Sequence, residues 1–269
     1  MNRHTELPVP SVDESPGMKA LPFMLGVIAG SVDIIGFLGL GGLFTAHITG
    51  NLVILAAHLV TGVDASLALM LSVPVFIVAL AATRLAAASL DRAGIAPLGM
   101  LLLVQFVLLA AFLAICLAAG LATNPTTPIM IVAGMVGVCA MAVQNALVRV
   151  ALSDAPATAV LTTNITLLTM DIGEILLGRD ADHIAKARDR ARRTWPAIAG
   201  FLVGCTLGAV AEAVLGLRGL VVPTACALIA LALGRRRAVR GDAPDWVRCL
   251  RRKIGQKSSD PNLTRRESY

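Results

Sequence analysis

Asp33 lies in a run from Leu21 to Gly42 whose neighbouring residues are apolar or glycine. Inside lipid an ionised carboxylate is costly, so it must be neutralised, paired or turned toward a watery cavity. Two roles suit it: a site for a proton or small cation, or a structural acceptor for His47 or Asn51. His47-Ile48-Thr49-Gly50-Asn51 follows closely and gathers an imidazole, a hydroxyl, a glycine and an amide. Gly50 can let the backbone unwind and present its polar groups to a ligand, although an interhelical hydrogen-bond cluster would use the same residue types. A second polar group comprises Gln144, Asn145 and Asn164, the last in a segment with Thr162, Thr163, Thr166, Thr169, Asp171 and Glu174. Asp171 and Glu174 stand one helical turn apart, and pairing with Arg149 or Arg179 is their expected role. No hydrolase, P-loop or zinc motif occurs. Cys116, Cys139, Cys205, Cys226 and Cys249 form no CxxC pair and do not alternate with histidine, so they read as small packing residues. No catalytic residue, metal or cofactor is expected.

The elements that must position these groups follow from composition. Apolar residues make up 57% of the 269 and charged residues 15%, against about 25% charged in soluble domains. The runs are long and continuous rather than alternating, which selects helices over a β-barrel. The expected fold is an all-α polytopic transmembrane bundle spanning about residues 21–234, with an N-terminal tail (1–20) and a basic C-terminal tail (235–269). Eight apolar stretches divide it: Leu21–Gly42, Phe44–Thr61, Ser66–Ser89, Pro97–Leu121, Thr127–Leu152, Ala157–Gly178, Thr194–Leu217 and Leu220–Leu233. The second and sixth are the polar ones.

Charge orients the bundle. Of a net +6, the tail after Gly234 carries +7 and Arg179–Arg193 carries +3. Basic clusters beside apolar helices are the positive-inside signature, not a nucleic-acid footprint, and put both in the cytosol. If all eight stretches cross, Arg84, Arg92 and Arg149 fall outside. If the second and sixth are short or re-entrant, six crossings remain and only Arg218 is misplaced. The expectation is therefore six crossings with both termini cytosolic. In the tail, Trp246, Leu250 and Ile254 recur every four residues among arginines. This suits a basic helix on anionic lipid, or equally a solvated tail.

The two polar stretches share a pattern. Ala46-His-Ile-Thr-Gly-Asn51 aligns with Ala159-Val-Leu-Thr-Thr-Asn164, and each follows a helix bearing one conspicuous polar residue, Asp33 or Gln144. The spacings differ by two residues. This implies halves of 21–121 and 127–233, and three crossings per half would make them an inverted repeat. The motifs Gly26-x-x-x-Gly30 and Gly200-x-x-x-Gly204-x-x-x-Gly208 predict close helix packing.

The run Ala29-GSVDIIGFLGLGGLFTAHITGN-Leu52, with Met141-AVQNALVR-Val150 about ninety residues later, resembles the YoaK-like family. These are bacterial inner-membrane proteins classed as a domain of unknown function. The resemblance covers Leu21 to about Leu233 and implies a multi-pass bacterial inner-membrane protein with no activity to carry over. Asp33, Gly36, Thr49, Gly50, Asn51, Gln144 and Asn145 match the family pattern. Thr162-Thr163 stands where a Thr-Gly pair is expected.

The function expected is transport of a small solute or ion, with proton coupling through Asp33. Contacts would come from Asp33, His47, Thr49, Gly50 and Asn51 on one side and Gln144, Asn145 and Asn164 on the other. The two groups should meet near mid-membrane. A membrane-embedded enzyme would instead need a second acid or base facing His47, and a membrane scaffold would show fully paired polar clusters. The bilayer is the one assigned partner, with anionic lipid at the tail. Substrate and oligomeric state stay open.

Overall fold

The computed structural model describes residues 16–62, 66–120, 124–152, 161–178 and 180–239. The C-terminal tail pattern at Trp246, Leu250 and Ile254 lies outside the described residues, as does most of the N-terminal tail. The described chain folds into α1 (Pro16–Gly39), α2 (Ile48–Thr61), α3 (Leu67–Arg92), α4 (Pro97–Ala119), α5 (Pro128–Ala151), α6 (Leu161–Leu177), α7 (Ala181–Leu215) and α8 (Val221–Val239). A 3-10 turn, Gly216–Leu220, joins the last two. No strand occurs among the described residues. Helices are the way such apolar runs satisfy their own backbone where no water can. Pro97 and Pro128 open α4 and α5, where a missing N–H has no helical partner to lose. Ser66 and Asp180 cap α3 and α7 through their side chains.

Six helices have 19 residues or more, whereas α2 has 14 and α6 has 17. The eight expected stretches are therefore all present, and the two polar ones are the short ones. One boundary differs substantially. α7 does not start at Thr194; its 35 residues run back through the basic segment to Ala181. Asp180 closes its first turn and Asp189 pairs with Arg193 one turn on, so alanine and charge complementarity sustain a helix that hydropathy does not mark.

Small residues set the closest packing. On α1, a methyl on Gly26 would meet the carbonyl oxygen of Ala197 at 2.6 Å. On α7, one on Gly204 would meet Val27 Cα at 2.8 Å. Phe23, Val27 and Ser31 thus face Gly200, Gly204 and Gly208 in the same order, and α1 and α7 run parallel. α4 and α8 run antiparallel: Leu102 near the start of α4 lies beside Gly234, and Cys116 near its end lies beside Leu217. With each long helix traversing the bundle once, both relations hold together only where α2 and α6 return the chain to the face they left.

The neighbour pattern repeats along the chain. Shifting every helix by four maps α1–α7 onto α5–α3, α1–α8 onto α5–α4, α2–α3 onto α6–α7 and α3–α4 onto α7–α8, and all of these pairs touch. Equivalent helices oppose each other. Gln144, late in α5, reaches the carbonyl of Leu25, early in α1, while Gly134, early in α5, packs on Leu40 just after α1. α1 and α5 are therefore antiparallel, as are α4 and α8, and the halves are inverted.

The outside of the bundle stays apolar. Val60 on α2 is 88% exposed and Leu177 on α6 is 83% exposed. In water each uncovered side chain would forgo about 1.5–3 kcal/mol of burial, whereas against acyl chains nothing is lost. Among the described residues, five helical runs are long and apolar enough to cross a membrane, the last covering α7 through the start of the basic end of α8. The protein is an integral membrane protein.

Candidate functional site

The Asp33 carboxylate lies six residues before the end of α1 and is buried. After Gly39 the chain reverses over Gly41 and Gly42, both at positive φ (67° and 87°), a conformation that glycine alone adopts freely. The segment then dips back along α1. Its descent is what brings Thr45 and Ala46 to Asp33. Oδ1 accepts the Thr45 amide at 2.8 Å, the Thr45 hydroxyl at 3.0 Å and the Ala46 amide at 2.6 Å. Oδ2 and Nδ1 of His47 form a hydrogen bond. Four hydrogen bonds to one carboxyl group fix the dipping segment firmly. α2 begins at the next residue.

Asn51 holds the segment from the other side. Its Oδ1 accepts the Phe44 amide at 2.9 Å, and its Nδ2 donates to the Phe44 carbonyl at 2.7 Å. The Phe44 ring stacks on Phe37 with centroids 4.8 Å apart and covers Gly50, where an added Cβ would fall 2.8 Å from the ring. Gly50 thus serves close approach of a ring. Thr49 is exposed and has no hydrogen bond among the described residues.

His47 is the least enclosed member, its side chain 29% exposed against 4% for Asp33. Its ring meets Phe201 of α7 edge-on at 5.2 Å. The backbone of Phe201 lies against Gly30, close to the midpoint of the apolar part of α1 that begins at Ala20. The imidazole is accordingly the deepest part of the dip. The Asp33–His47 pair thus joins a buried carboxylate to a partly exposed imidazole.

The second-half residues form a separate cluster. Gln144 is fully buried, donates to the Leu25 carbonyl at 3.0 Å and accepts from Gln105 of α4 at 2.6 Å. Gln105 Oε1 is buried without a partner among the described residues. Asn145 bonds the Met141 carbonyl one turn back, and Asn164 is buried in α6. Leu25 precedes Asp33 by two helical turns, roughly 12 Å along the axis, so Gln144 does not join the Asp33 group. Nor do the two short helices meet. α2 packs on α3 and α6 on α7, with no contact between α2 and α6 among the described residues. The expected approach of Asn51 to Asn164 fails because α1 and α5 take the centre and leave the short helices at the periphery.

Asp171 pairs with Arg190 of α7, at 2.5 Å and 3.0 Å, while Arg179, an expected partner, lies outside the described residues. Arg190 precedes the apolar stretch that starts at Thr194, and the helical extension of α7 brings it alongside α6. Gln105, Thr45 and Phe201 also escaped notice. For Gln105 the signal existed, since it is the sole amide in the apolar run of α4. Neither a cavity of about 30 Å³ beside Cys116 and Arg218 nor an apolar groove at Pro74 is lined by Asp33 or His47.

Residues 21–233 match the model of a family described as a protein of unknown function, DUF1275. The chain belongs to this family. No curated protein and no solved structure matches it. The matched region takes in every residue of the Asp33 cluster and the Gln105–Gln144 pair. Family membership assigns no activity, so the geometry must carry any functional reading.

Proposed function

We propose that this protein transports a small solute or ion across a bacterial inner membrane, with six crossings and both termini in the cytosol. The observation that carries the proposal is the Asp33–His47 pair at the point where α1 gives way to the returning helix α2. A titratable pair at a helix break, inside an inverted repeat, is how many transporters build a midplane site. Proton coupling would use the same two groups, and His47 is the one that a solute can reach. The basic segment of α7 and the arginines of α8 lie on the face where α1 starts, which supports a cytosolic assignment for that face.

The experiment is reconstitution in liposomes with a trapped pH dye. Imposed gradients of ammonium, sodium, potassium and small organic acids are followed in turn. At least one should move protons in the wild type and none in Asp33→Asn or His47→Gln. A second reading, a non-transporting scaffold, draws on one fact: both oxygens of Asp33 and both polar atoms of the Asn51 amide are already engaged. Silence of the wild type across the panel, with Asp33 variants that fail to fold, would favour the scaffold.

A further inference from the structure

The cytosolic extension of α7 has a lipid-facing stripe that the transport reading does not use. A 35-residue helix is roughly 52 Å long, against a hydrocarbon core of about 30 Å. About fifteen residues must therefore stand beyond the apolar core. Arg188, Arg192 and Trp195 follow at i, i+4 and i+7, so they share one helix face, and all three are exposed. The same face continues into the bilayer through Leu202 and Val210, 57% and 59% exposed. Trp195 marks the level where hydrocarbon ends, as interfacial tryptophans do. Arg192 and Arg188 then lie one and two turns further out, at headgroup depth.

The neighbouring cations are consumed elsewhere. Arg190 is held by Asp171 and Arg193 by Asp189. Arg188 and Arg192 have no hydrogen bond or ion pair among the described residues. They are two planar, permanently charged forks, one turn apart, above an aromatic ring and an apolar stripe. We propose that this face binds an anionic phospholipid of the cytosolic leaflet. Its phosphate lies between Arg188 and Arg192 and its acyl chains run along Trp195 and Leu202. Guanidinium grips phosphate through paired hydrogen bonds, which a zwitterionic headgroup offsets with its own cation. This site is distinct from the basic tail and does not depend on the transport reading.

The test uses the full chain in bilayers. The protein has two tryptophans, so Trp246→Phe leaves Trp195 as the reporter. Phosphatidylglycerol or phosphatidylcholine with brominated acyl chains is titrated in, and Trp195 quenching measures which lipid occupies the face. Phosphatidylglycerol should win, and Arg188→Gln and Arg192→Gln should each weaken that preference about fivefold. Lys186→Gln, on the opposite face, should leave it unchanged. Equal quenching by the two lipids in the parent would overturn the proposal. So would an undiminished preference in the double variant, which would assign the lipid to the tail. Loss of the preference on adding inorganic phosphate alone would show that a soluble anion takes the site.

Discussion

The carboxylate of Asp33 accepts the amide hydrogen of Ala46 at 2.6 Å, thirteen residues further along the chain and two residues before α2 begins. One side chain thereby fixes how deep the returning segment reaches. The bond also explains why a carboxylate is tolerated there: the donors it needs are amides that a dipping segment would otherwise leave unpaired.

Asp33→Asn should keep the fold. The amide oxygen can still accept from Thr45 and Ala46, and its NH₂ can face His47. Asp33→Leu removes every acceptor and strands two backbone amides, at about 1–3 kcal/mol each. Thermal unfolding in detergent should give a small shift for the first and a large loss for the second. Equal losses would mean that the charge itself, not the acceptor geometry, holds the segment.

Asn51→Ala should destabilise by about 2–4 kcal/mol, because both polar groups of Phe44 lose their partner. Gly50→Val should cost a comparable amount through its clash with the Phe44 ring. Phe44→Ala should relieve most of the Gly50→Val penalty while leaving the Asn51→Ala penalty in place. A double-variant series read by thermal unfolding would show this difference.

Gly200→Leu should disrupt the α1–α7 contact, since a Cβ there would lie 2.9 Å from the carbonyl carbon of Phe23. A loss of about 3 kcal/mol or more is expected from backbone that cannot yield. Gly173→Leu on α6, where nothing lies within 4 Å, should be close to neutral. Similar penalties at the two positions would contradict the packing described.

Topology can be read with an impermeant thiol reagent on a chain stripped of its native cysteines. Cysteines at Asn124 and Arg218 should react from outside intact cells, and those at Arg92 and Arg188 only after permeabilisation. Labelling of Arg92 from outside would instead favour eight crossings.

Much of this protein was legible before any fold was known. Lipid imposes about twenty apolar residues per crossing and internal satisfaction of every backbone group, so run lengths revealed the helices, and their polar residues set α2 and α6 apart. The same reasoning made Asp33 conspicuous, since a charge in such a run must have a reason. The glycine spacings on α1 and α7 likewise foretold their close packing, because a missing side chain is a property of the residue itself. What the tertiary structure decided was which groups meet. Asp33 took Thr45, Ala46 and His47, Asn51 took the backbone of Phe44, Gln144 took Gln105, and Asp171 took Arg190. The short helices, alike in pattern, ended apart. A hydrogen bond is decided by distances of about 3 Å, and residue order carries no such distances. Only the reversal at Gly41–Gly42 and the inverted packing of α1 against α5 supply them.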